Sequence, residues 1–111
     1  MRTQDSAKEP AGPAHKAIGD VAPQLAALTD DVLFGQVWEG AALSQRDRSL
    51  VTCATLVAMG KTEQLNFHLP FALKNGVTRD ELVAMVTHLA FYAGWPSAMS
   101  AVAKLRELPQ P

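Results

Sequence analysis

The chain has 111 residues, 48% hydrophobic and 19% charged, with a net charge of −1 and a single cysteine. That is the length of one small domain. Its composition supplies a core but not the clustered excess of Lys and Arg that nucleic-acid binding requires. No apolar run reaches the roughly 18 residues of a membrane span, and Cys53 alone makes neither an internal disulfide nor a cysteine-rich zinc cage.

Residues 1–13 are polar and carry Pro and Gly, which reads as a tail ahead of a domain over residues 14–111. The start lacks the apolar stretch of a secretory leader, so the expected compartment is the cytoplasm. From Ala14 the pattern is helical, with no sustained period-2 alternation between turns. A first helix is predicted over His15 to Asp20 and a second over about Ala22 to Leu28, with a break near Pro23. Thr29, followed by Asp30 and Asp31, reads as an N-cap with acids in the first turn of a helix from Val32 to Trp38, ended by Gly40.

Ser44 caps a predicted helix from Gln45 to Met59, and Gly60 suits the C′ position. Its apolar residues run almost all round the cylinder, which predicts burial on every side, partly against another subunit. Thr62 is read as the cap of the next helix, ending at Asn75-Gly76. Pro70 lies inside it and removes the bond to Asn66, predicting a kink or opening just before His68. Thr78 and Glu81 form a capping box for a helix whose core stripe is Leu82, Met85, Val86, Leu89 and Ala93. His88 and Tyr92, four apart, share a face beside that stripe. Gly94-Trp95-Pro96 reads as a break before a last helix from Ser97 to Leu108. The expected fold is all-α, with a central antiparallel helix pair.

Few residues carry chemistry. His68 lies in a helix that otherwise packs; its plainest role is structural, but a histidine beside a proline-freed carbonyl has a group to orient its ring. His88 reads as a semi-buried ring bonded to Tyr92 or to a backbone carbonyl, and Trp38 and Trp95 as core or interface aromatics. Arg46, Asp47 and Arg48 open one helix; two arginines in a first turn oppose its dipole and are eased by a nearby anion or an ion pair. Cys53 falls on a core face, where thiols are inert. No H-x-x-x-H, H-E-x-x-H or carboxylate cluster points to a metal.

The runs Leu43-Ser44-Gln45-Arg46-Asp47-Arg48-Ser49-Leu50-Val51-Thr52, Leu65-Asn66-Phe67-His68-Leu69, Asn75-Gly76-Val77-Thr78-Arg79-Asp80-Glu81-Leu82 and His88-Leu89-Ala90-Phe91-Tyr92-Ala93-Gly94-Trp95-Pro96 resemble the carboxymuconolactone decarboxylase family over roughly Val21 to Leu105. The resemblance implies an alkylhydroperoxidase-like helical fold assembling into rings, as trimers or hexamers, with sites near subunit interfaces. One branch of that superfamily is redox-active and carries C-x-x-C, a His after three intervening residues and a Glu on the preceding helix. Here the matching His is His68, but Lys61 and Gln64 stand at the cysteine positions and Ser49 at the Glu position. Disulfide exchange requires a low-pKa thiolate and a resolving thiol, so that branch is disfavoured.

The decarboxylase branch implies cofactor-free loss of CO₂ from a small carboxylated lactone in aromatic-compound catabolism. The conjugated carbonyl accepts the electrons the departing CO₂ leaves behind. Arg48, in the Arg48-Ser49-Leu50 motif, suits carboxylate binding, and His68 suits proton donation or electrophilic assistance. Arg46, Glu63, Trp38, His88 and Tyr92 are further candidates for the pocket. Pro70 stands where decarboxylases of the family often carry a basic residue, which bears on the substrate. An antioxidant protein and a non-catalytic ligand-binding oligomer are the alternatives.

Overall fold

The computed structural model describes residues 12–109, which divide between Ala41 and Ala42 into two compact units. The expected tail falls outside the described residues up to residue 11, and Pro13 already opens a helix. Every regular element among the described residues is a helix, with no strand among them.

In the first unit Pro13 and Pro23 each occupy the first turn of a short helix, α1 (Pro13–Ile18) and α2 (Pro23–Ala27). A proline there forfeits no bond, because a first-turn N–H has no intrahelical partner. Pro23 thus starts a helix rather than breaking one, and both predicted ranges shift. α2 runs without interruption into a π-helical segment, π1 (Leu28–Val37), at whose end the Trp38 N–H donates to the Leu33 carbonyl five residues back at 2.9 Å. Thr29 is therefore not an N-cap. The residue ahead of π1 is already helical, and the Thr29 hydroxyl turns back to donate to the Leu25 carbonyl at 2.8 Å. Asp30 does cap a helix, but a different one. Its carboxylate accepts from the backbone N–H groups of Ala14 and His15 at 3.0 and 3.1 Å and lies 2.7 Å from His15 Nδ1, so π1 caps and holds α1.

The second unit comprises α3 (Gln45–Ala58), α4 (Thr62–Lys74), α5 (Arg79–Tyr92) and α6 (Trp95–Arg106). Ser44 caps α3 as predicted, its hydroxyl accepting from Asp47 N at 3.0 Å. The other end closes on Gly60, whose φ of 70° is left-handed. Gly60 N–H then reaches Val57 O and Lys61 N–H reaches Leu56 O, the paired bonds of a Schellman close. α4 closes the same way through Gly76 (φ 102°), with Val77 N–H on Ala72 O and the Val77 side chain buried. Thr62 does not cap α4. Lys61 holds that position without a side-chain bond, and Thr62 is the first helical residue. α4 stays helical through Pro70 and across His68, so no opening precedes the histidine.

α5 starts at the predicted capping box. The Thr78 hydroxyl accepts from Glu81 N at 3.1 Å, and the Glu81 carboxylate accepts from Thr78 N at 2.9 Å. Trp95 and Pro96 form the first turn of α6 rather than a break before it, for the reason that applies to Pro23.

The core is built from spacings of three and four: Cys53 and Val57 on α3, Leu65, Leu69 and Ala72 on α4, Leu82, Val86 and Ala90 on α5, and Ala98, Ala101 and Leu105 on α6. Ala90 takes the buried place predicted for Ala93, because it lies four residues beyond Val86. Met85 and Leu89 pack at the margin. α3 is not buried on every side within the chain: Ser49, Cys53 and Val57 face inward, while Val51 and Met59 are 58% and 61% exposed.

Candidate functional site

α3 and α4 pack against each other, and that pairing presents the residues best suited to chemistry. On α4 the inward positions are Leu65, Leu69 and Ala72. His68 precedes Leu69 by one residue, or about 100° of helix, and so flanks the buried stripe at half-burial. Its neighbours are aromatic: Phe67 meets the imidazole edge-on at 4.9 Å, and Phe71, one turn on, lies at 6.2 Å. Nδ1 is withdrawn from solvent. Burial disfavours the imidazolium and lowers the pKa of His68 below that of a free histidine. At neutral pH the ring is therefore neutral, with one N–H donor and one acceptor.

Cys53 lies behind it. The Cys53 thiol donates to the His68 carbonyl oxygen at 3.3 Å, fixing the α4 backbone at the histidine against α3. The thiol is fully buried, and burial pushes its pKa up to about 11, so it stays protonated and non-nucleophilic at neutral pH. A second tie joins the same helices. Ser49, wholly buried, accepts from Asn75 Nδ2 at 2.9 Å, linking the first turns of α3 to the C-cap of α4. Helical spacing puts Ser49, Cys53 and Val57 on one inward face at i, i+4 and i+8, but it does not name the partners they find across it.

The remaining candidates are spread over the fold. Arg48 sits in the first turn of α3, partly buried, with its Nε withdrawn from solvent. Arg46 is committed elsewhere: it bonds the Glu81 carboxylate and lies 3.2 Å from Asp47. Glu81 thereby serves both the capping box and an α3–α5 ion pair. Its pKa is lowered, chiefly by the Thr78 backbone N–H and, less, by the Arg46 charge. Glu63 is exposed in the first turn of α4, five residues and so about 140° of helix from His68. His88 and Tyr92 stack with centroids 4.8 Å apart on an exposed stretch of α5, and Trp38 stacks on Phe34 at 5.5 Å in the first unit. Among the described residues no group of three His, Cys, Asp or Glu side chains converges as metal ligands.

A helical unit with a neutral, half-buried histidine, an arginine-bearing neighbouring helix and an inert thiol has the parts of an acid–base site rather than of a thiol-redox one. The sequence model of the carboxymuconolactone decarboxylase family matches residues 23–107. The chain belongs to that family. It is 40% identical over 75 residues to a 4-carboxymuconolactone decarboxylase of Acinetobacter baylyi, covering 68% of this chain and 56% of that protein. It is 35% identical over 75 residues to a nitrosuccinic acid decarboxylase of Metarhizium robertsii, covering 68% of this chain and 52% of that one. The chain thus spans about half the length of the curated relatives it matches.

Proposed function

We propose that the protein is a cofactor-free carboxy-lyase acting on a small carboxylated lactone or a related acid. The observation that carries the reading is membership of a family in which both matched relatives are named decarboxylases, on acids as different as a carboxymuconolactone and nitrosuccinic acid. What such acids share is a carboxylate whose departing electron pair has an acceptor in the same molecule. In the lactone case the bond from the ring carbon to the carboxylate breaks and CO₂ leaves. The electron pair passes into the conjugated lactone carbonyl, and one proton is then added to a ring carbon. The protein has three tasks: to hold a remaining carboxylate, to stabilise negative charge on the lactone oxygen, and to deliver the proton.

Arg48 takes the first through a bidentate guanidinium–carboxylate contact. His68 takes the second as a neutral N–H donor, which requires no proton uptake beforehand. It serves the third by taking a proton from water once the anionic intermediate beside it raises its proton affinity, and passing that proton to the ring carbon, which returns the imidazole to its neutral form. Arg46 contributes less, because Glu81 already occupies it. Glu63, His88 and Tyr92, exposed in the single chain, are our further candidates for lining a site completed on assembly, and Trp38 is kept as a candidate on the resemblance alone. The assembly we propose is a homo-oligomeric ring, a trimer or hexamer, of subunits each built round a central antiparallel helix pair, working in the cytoplasm in the breakdown of aromatic compounds.

The antioxidant alternative is weakened by Cys53, whose thiol is buried, protonated and without a second cysteine. Incubation of the purified protein with 4-carboxymuconolactone, following CO₂ release, tests the reading. The expected result is turnover that falls at least about 100-fold in His68→Ala, the usual scale of a lost acid–base group, and persists in Cys53→Ser. Full activity in His68→Ala would remove the histidine from the mechanism. Reduction of a hydroperoxide by the wild type, lost in Cys53→Ser, would replace the lyase with the redox reading.

A further inference from the structure

Away from His68 and Arg48, the face between α5 and α6 holds a cleft of about 200 Å³ lined by Arg79, Val83, Val86, Val102, Leu105 and Arg106. The spacing explains how it forms. Arg79, Val83 and Val86 fall on one face of α5, and Val102, Leu105 and Arg106 on one face of α6. Arg79 opens α5 and Arg106 closes α6, and both line the same apolar trough. An enclosed cavity of about 150 Å³ takes a benzene molecule, so an open cleft of about 200 Å³ has volume enough for a single ring.

The charges at its mouth are unbalanced. Neither Arg79 nor Arg106 has an ion-pair partner among the described residues. Asp80, next to Arg79 in the chain, is exposed and does not line the cleft, Glu81 is taken by Arg46 and by the Thr78 N–H, and Glu107 lies 3.9 Å from Lys104. Arg79 also sits in the first turn of α5, where a positive charge opposes the helix dipole. Its Nη1 is screened from solvent and has no hydrogen-bond partner. A buried donor on a charged group without an acceptor is costly, and an anion placed in the cleft supplies the acceptor.

We infer that this cleft is a binding site for a small organic carboxylate with an apolar body about the size of one aromatic ring. The apolar body lies on Val83, Val86, Val102 and Leu105, and the carboxylate accepts from Arg79 Nη1 and the Arg106 guanidinium. The site is separate from the proposed lyase centre and stands whether or not that reaction is catalysed.

Titration of the full chain with benzoate, followed by amide shifts in the ¹H–¹⁵N spectrum, tests this. Saturable binding is expected, with shifts centred on Val83 and Val102. Affinity falls about ten-fold in Arg79→Gln and in Arg106→Gln, the scale of one charged hydrogen bond, and is unchanged in His68→Ala. Arg106 lies in the exposed last turn of α6, so its variant remains informative if Arg79→Gln folds poorly. Benzyl alcohol, with the ring but no charge, and acetate, with the charge but no ring, should each bind at least ten-fold more weakly than benzoate. The inference is overturned by absence of saturation, by equal binding of benzyl alcohol, by indifference to both arginine variants, or by shifts centred on α3 and α4 that vanish in His68→Ala.

Discussion

His68 shows how one residue's surroundings set its chemistry. Flanking Leu69 and edged by Phe67 and Phe71, it is held by burial in its neutral form. The folded-state pKa lies below the unfolded value of about 6.5. As pH falls through about 6.5 the unfolded chain therefore takes up the proton first, and stability declines until the folded-state pKa is passed. Urea midpoints measured between about pH 8 and pH 5 should fall more in the wild type than in His68→Gln, which has no ring to protonate. Parallel profiles for the two proteins would show that the imidazole is not desolvated. The sequence marked His68 by its motif, but nothing in the string showed that Cys53, fifteen residues earlier, fastens its carbonyl to α3. A long-range contact to a backbone atom leaves no trace in residue identity.

Elements began where the sequence said when the signal was a side chain bonding its own turn. Ser44 and the Thr78–Glu81 box are of that kind, because three residues fix the geometry whatever the rest of the fold does. Thr29 and Thr62 have the same chemistry and do not cap. α2 feeds straight into π1, and Lys61 takes the cap position of α4, so neither backbone is extended where the hydroxyl would be used. Thr78→Ala should lower stability by about 1 kcal/mol, as loss of an N-cap does. In thermal melts that is a drop of several degrees, whereas Thr29→Ala should leave the melt nearly unchanged. Equal effects of the two would mean that the box contributes nothing beyond an ordinary threonine.

For the molecule as a whole, the end of α5 and the start of α6 expose Phe91, Tyr92, Trp95 and Met99 at 74%, 78%, 58% and 62%. Phe91 and Trp95 lie edge to face 5.4 Å apart, and His88 stacks on Tyr92 beside them. Burying such an apolar ridge against another subunit would remove it from water, and this is the surface we assign to the oligomer proposed above. Native mass measurement should give a trimer or hexamer for the wild type and a smaller species for Phe91→Asp. A monomeric wild type would undercut both the assembly and a site completed at its interface.

The helical class, the stops at Gly60 and Gly76, the capping box and the family were legible in the residues, because periodicity, left-handed glycines and local caps act over a few positions. The use made of particular side chains was settled by packing. Arg46 went to Glu81, Ser49 to Asn75 and Asp30 to the start of α1. The cleft between Arg79 and Arg106 exists only because α6 returns alongside α5. Residues far apart in the chain meet only after helices pack, and neither composition nor spacing encodes which donor finds which acceptor.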